Sequence, residues 1–205
     1  MISNYVDADD MIGQYSLPLS NDEILTEKFD LISADVQDEV LTDLLGYQLL
    51  EDFEAGVIAM TPKWLNLQDG DLYDVVNDKG VTVKAKWRGL KDMLTPFVYA
   101  RFLKKYQSSA TQIGEMEEES QNANRVGILL TYVEAYNDGL LKFGIDFTCY
   151  SKYVPVQSFP RIPYYYDYVL RGSAFGFITA RNEEDPTKYP NWYFTELKKA
   201  NVFNI

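Results

Sequence analysis

Three clusters of carboxylates have the residue types and spacing to do chemistry. Asp7, Asp9 and Asp10 stand near the start of the chain. Asp69, Asp71 and Asp74 lie further in, and Glu115, Glu117, Glu118 and Glu119 follow beyond the middle. Paired carboxylates can share acid–base work in glycoside hydrolysis or hold a catalytic divalent metal. Each cluster also has a plainer reading. Asp7, Asp9 and Asp10 suit a helix N-cap with acids in its first turn. The Asp69–Asp74 stretch lacks the Asp-x-Asp-x-Asp-Gly spacing and the closing glutamate of a calcium loop. The Glu115–Glu119 run is most simply a solvated helix start.

Other machinery is missing from the sequence. Histidine is absent, which removes the Ser-His-Asp triad, the Cys-His pair and every His-ligated metal. Cys149 is the one cysteine, so no internal disulfide or CxxC pair can form. It reads as a small buried hydrophobe. There is no GxxxxGK[ST] phosphate loop, no GxGxxG after a strand and no GxSxG elbow. The run Tyr164-Tyr165-Tyr166 could stack on sugars or bases. Tyrosine and tryptophan are also enriched where proteins meet, and that reading is preferred. The expectation is a protein that is not an enzyme and carries no cofactor and no metal.

The elements that must position these residues begin with a helix. Ser20-Asn21-Asp22-Glu23 reads as a capping box, with Leu19 and Ile24 as a hydrophobic staple. Leu25, Phe29, Ile32, Val36 and Val40 then recur at helical spacing. Gly46 should end or bend this helix, and Tyr47–Glu54 should form a second one closed by Gly56. Pro62 and Asp69-Gly70 mark a loop. Leu72–Val76 and Val81–Trp87 alternate around Asn77-Asp78-Lys79-Gly80, which predicts a β-hairpin. One face of its second strand carries Val81, Val83, Ala85 and Trp87; the other carries Thr82, Lys84, Lys86 and Arg88.

A helix over 89–107 follows, with a kink or break expected near Thr95 because of Pro96. A polar loop over 108–114 leads to a last long helix. Its apolar face is Val126, Leu130, Val133 and Leu140, and it can run on to Tyr150. After that the composition changes. Pro155, Pro160, Pro163, Pro186 and Pro190 interrupt a segment holding half of the 16 tyrosines. The fold expected is mainly α (α+β). Residues 1–149 form a small helical bundle with an inserted β-hairpin at about 72–87. Residues 150–205 form an extended aromatic C-terminal arm for assembly, with a short helix near Trp192–Lys199.

Charge is distributed unevenly along the 205 residues. The chain as a whole carries −12. Residues 1–60 hold Lys28 as their one cation and are strongly acidic, whereas residues 79–105 hold eight cations against Asp92 alone. Overall acidity argues against tight sequestration of nucleic acid. Opposite patches on one chain can instead meet between copies of the same protein. The residues expected at that subunit interface are Lys84, Lys86, Arg88, Asp35, Asp38 and Glu39. Those expected to dock a partner are Tyr164, Tyr165, Tyr166, Trp192 and Phe203. No apolar run reaches the ~20 residues of a bilayer span, and the first residues do not read as a secretory signal. Synthesis in a reducing cytoplasm is expected.

Several stretches together carry a resemblance. They are Leu44-Leu45-Gly46-Tyr47, Trp87-Arg88-Gly89-Leu90-Lys91, Phe97-Val98-Tyr99-Ala100-Arg101-Phe102-Leu103, Thr111-Gln112-Ile113-Gly114 and the closing Asn201-Val202-Phe203-Asn204-Ile205. In order and residue type they resemble structural neck proteins of tailed bacteriophages of Bacteroides-type hosts, the crAss-like group included. The resemblance covers roughly residues 20–137 and the last few. It implies a head–tail connector or adaptor subunit in the virion neck, made in the host bacterial cytoplasm. Such a subunit forms a homo-oligomeric ring, commonly a dodecamer. It contacts the portal protein and a neighbouring tail or ring protein, and DNA passes through the channel without specific binding. Two other classes remain open from the residues themselves. One is a carbohydrate- or cell-surface-binding module using Tyr164–Tyr168 and Trp192, and the other is a metal-assisted hydrolase on the acidic clusters.

Overall fold

A computed structural model describes residues 4–17, 23–76, 81–112, 118–144, 172–193, 195 and 197. The protein is mainly helical with one antiparallel hairpin. The elements are α1 (Glu23–Ile58), α2 (Pro62–Asp69), β1 (Asp71–Val76), β2 (Thr82–Trp87), α3 (Leu90–Gln112), α4 (Glu118–Phe143) and α5 (Ala174–Glu184). Two short 3-10 turns, Ala8–Asp10 and Gly13–Tyr15, precede α1. The chain divides into two compact units. Among the described residues the first draws on 4–39 and 94–139, the second on 40–93 and 140–197.

In the first unit, α1 buries Phe29, Ile32 and Val36 at the spacing its sequence predicts. Phe29 meets Phe102 of α3 with ring centroids 5.6 Å apart. Phe97 packs edge-on against Tyr136 of α4 at 5.4 Å. Gly139 lets α4 come this close, since a Cβ there would lie 2.9 Å from the Phe97 ring. Of the apolar face expected for α4, Leu140 is buried and Val133 half-buried, whereas Leu130 is exposed; Ala135 and Phe143 are buried as well. The N-terminal segment is held by a buried glutamine. Gln37 Oε1 accepts from the amides of Tyr5 (2.7 Å) and Val6 (3.1 Å), and Ser33 Oγ donates to the Val6 carbonyl at 2.7 Å.

The second unit is built around aromatic side chains. Trp64 of α2 sits between Phe53 (5.7 Å) and Tyr189 (5.3 Å). Phe177 of α5 lies against Tyr73 (5.5 Å) and Trp87 (6.2 Å) of the hairpin. Trp87 Nε1 donates to the Leu67 carbonyl at 2.7 Å, so its buried polar atom is satisfied. Burial pushes the Tyr73 and Tyr189 phenols up, and the Tyr189 hydroxyl donates to the Lys63 carbonyl.

Gly46 bends α1, with φ 71° and ψ 160°, a conformation that favours glycine. The helix then continues through Gly56 to Ile58 rather than closing at Gly56. Gly56 serves packing instead: a Cβ there would fall 1.7 Å from Trp64 Cδ1. The loop expected around Pro62 is α2, because proline at the first helical position loses no intrahelical bond. Likewise α3 runs through Pro96 without a break and ends at Gln112 rather than 107. The carbonyl of Asp92, whose helical donor Pro96 lacks, accepts from Lys142 Nζ at 3.2 Å.

The expected boundary at residue 150 falls within residues 145–171, which, with Cys149 and Tyr164–Tyr166, lie outside the described residues. Residues 172–193 are described and are not an extended arm. The proline-free stretch between Pro163 and Pro186 contains α5, capped by Ser173 Oγ accepting from the Gly176 amide. Its Ala174, Phe177, Ile178 and Ala180 are buried. No helix forms at the described residues of Trp192–Lys199.

Candidate functional site

The hairpin register pairs Asp71 with Trp87 and Val76 with Thr82. Strand alternation with Trp87 buried therefore turns Lys84, Lys86 and Arg88 outward. All three are exposed, as is Thr82, while Ala85 and Trp87 are buried and Val83 is half-buried. Val81, expected on the buried face, is exposed at the strand entrance. Across the register Asp74 faces Lys84, and the two form an ion pair at 2.6 Å. Lys86 stands opposite Leu72, which is exposed. Neither Lys86 nor Arg88 makes an ion pair among the described residues.

In the first unit, Asp35, Asp38 and Glu39 lie on the solvent side of α1. Glu39 pairs with Arg101 at 2.7 Å and Asp35 with Lys105 at 3.8 Å. Part of the acidic head thus meets part of the basic stretch inside one chain, where the charge pattern had suggested contact between copies. These pairs are exposed and each is worth about 0–1 kcal/mol. Asp38 makes no ion pair among the described residues, and Glu27 and Asp30 are exposed on the same helix.

Of the residues expected to dock a partner, Tyr164, Tyr165, Tyr166 and Phe203 lie outside the described residues. Trp192 is occupied within its own unit: its Nε1 donates to the Leu44 carbonyl at 2.7 Å and its ring lies 5.2 Å from Phe175.

The acidic clusters take structural roles where they are described. Asp7 caps the first turn, accepting from the Asp9 amide, while the Asp7 amide donates to Asp10. Asp71 accepts from Arg181 and from Asn66 Nδ2. Arg181 also pairs with Glu184 at 2.9 Å, and Lys188 reaches the same carboxylate. Burial alone would raise the Glu184 pKa, but the hydrogen bonds from Lys188 and Arg181 outweigh it and hold the carboxyl below its ordinary value. Glu115 and Glu117 lie outside the described residues. Among the described residues no group of three or more His, Cys, Asp or Glu could hold a metal ion. No described helix is long and apolar enough to cross a membrane.

No protein family, curated protein or solved structure matches this chain.

Proposed function

We propose that this chain is a structural subunit of a tailed-bacteriophage neck, a head–tail connector that closes into a ring and extends the portal channel. The observation that carries this reading is the solvent-facing strand stripe in which Lys86 and Arg88 have no ion-pair partner among the described residues, on a chain whose exposed α1 acids include Asp38. A head-to-tail ring needs two different, complementary surfaces on one subunit. Unpaired charge of both signs meets that need and sets register more than affinity. The resemblance of the neck-protein stretches supports the same reading. The net charge of −12 suits a conduit along which DNA slides without sticking. The partners are other copies of the chain, the portal protein and an adjoining tail or ring protein. The site of action is the virion neck.

Reversal of the stripe tests this reading. The variant Lys84→Glu, Lys86→Glu, Arg88→Glu should keep the circular dichroism spectrum of the parent and lose ring assembly in sedimentation velocity. Ring formation equal to the parent's would remove the stripe from the interface and overturn the proposed contact.

A further inference from the structure

The first unit contains a cavity of about 250 Å³ that no charged stripe or aromatic segment accounts for. Gln14 and Tyr15 of the N-terminal turn, Tyr99 of α3, and Thr131, Glu134, Ala135 and Asp138 of α4 line it. The four α4 residues recur at steps of three, one and three, so they share one helical face. Tyr15 and Tyr99 form an aromatic corner with centroids 5.3 Å apart and planes at 58°. The Tyr15 hydroxyl donates to the Asp138 carboxylate, which fixes that ring against α4. Glu134 is exposed and makes no ion pair among the described residues. Among the described residues the lining holds two carboxylates and neither lysine nor arginine.

We infer that this cavity binds a cationic head group, an alkylammonium or a guanidinium. The π faces of tyrosines attract cations, and the effect grows as the cation is desolvated. The carboxylates of Glu134 and Asp138 in the same lining add charge attraction and can accept a cation's hydrogen bonds. A neutral ligand would strip water from Glu134 and return nothing to its charge. A metal ion fits less well, because among the described residues no group of three or more His, Cys, Asp or Glu comes together here to hold one. The volume lies below the roughly 300–1,000 Å³ of sites for drug-sized ligands, and suits the end of one basic side chain or of a polyamine. This inference does not depend on the ring reading, since the site lies within one unit of one chain.

Titration of the isotope-labelled full chain with n-butylammonium, n-butylguanidinium and neutral n-butanol, followed by amide NMR, tests it. The cations should produce saturable shifts at residues 14, 15, 99, 131, 134 and 138 with millimolar affinity, while the alcohol produces none. Glu134→Gln should weaken cation binding by about fivefold, the factor one exposed charge interaction supplies. Glu134 is exposed, so this variant should retain the parent's spectrum and melting temperature. Spermidine and a short arginine peptide distinguish the sources: tighter binding of the first assigns a free polyamine, tighter binding of the second a protein side chain. Absence of saturable shifts up to tens of millimolar, an equal response to butanol, or unchanged affinity in Glu134→Gln would each overturn the inference.

Discussion

Trp192 Nε1 donates to the carbonyl oxygen of Leu44 at 2.7 Å. Its meaning comes from the bend at Gly46. A bend in a helix leaves the carbonyls of the preceding turn without their donors. Here the Leu44 carbonyl receives Trp192 and the Asp43 carbonyl receives the Thr195 amide at 2.8 Å. Residues late in the chain therefore complete hydrogen bonding that α1 alone leaves open.

The first prediction concerns this closure. Trp192→Phe keeps a ring against Phe175 and removes the donor to Leu44. Loss of a hydrogen bond to a buried carbonyl should cost about 1 kcal/mol, read as a lower midpoint in urea with an unchanged slope. Truncation at residue 150 removes Phe177, Ile178, Tyr189 and Trp192 together and should abolish cooperative unfolding of the second unit. A truncated chain melting like the parent would show that these contacts contribute nothing.

The second concerns Lys142 and Pro96. Lys142 Nζ reaches both the Asp92 carbonyl (3.2 Å) and its carboxylate (3.3 Å). Lys142→Met should cost about 1–2 kcal/mol. In a Pro96→Ala background the helix regains its own donor to Asp92, so the same change should cost less. A double-mutant cycle by chemical denaturation measures the difference. Equal costs in both backgrounds would mean that Lys142 does not stand in for the missing amide.

The third concerns Gln37, which is 1% exposed. Gln37→Met preserves length and leaves the Tyr5 and Val6 amides without their acceptor. Buried donors left unpaired cost about 1–3 kcal/mol. Hydrogen exchange at Tyr5 and Val6 should accelerate markedly, while amides in the second unit keep their protection.

The fourth is a pH dependence. The Glu184 carboxyl is held below its ordinary value, so its contribution is present above the unfolded pKa of about 4.3 and disappears as pH falls through the folded value. The group is partly exposed, and screening keeps the effect within about 1 kcal/mol. Glu184→Gln should therefore melt below the parent at pH 7 and converge with it near pH 3. A gap that widens on acidification would contradict the assignment.

Much of this architecture was legible in the sequence, for reasons visible at particular residues. The hairpin was readable because apolar and polar residues alternate strictly from Val81 to Arg88. The buried stripe of α1 was readable from Phe29, Ile32 and Val36. The reading of Asp7, Asp9 and Asp10 as an N-cap with first-turn acids matches the turn Ala8–Asp10, which Asp7 caps. What failed was punctuation. Pro62 and Pro96 carry the signature of breakers, yet one stands at a helix start and the carbonyl that the other orphans accepts from Lys142. Gly56 carries the signature of a stop, yet it makes room for Trp64. The prolines after residue 150 masked α5 because they flank it. The cavity had only half a signal. Thr131, Glu134, Ala135 and Asp138 fall on one helical face, but Tyr15 and Tyr99 come from distant positions that no local pattern joins.

The most direct test of the connector reading is the mass of the assembled species by native mass spectrometry. The measurement is made on the full chain alone and mixed with the portal protein that the connector reading proposes as its partner. A connector subunit should form a single closed homo-oligomer in at least one of the two samples, at an integral multiple of the chain mass and with the ring absent from the Lys84, Lys86, Arg88 reversal. A chain that stays monomeric in both samples would contradict it.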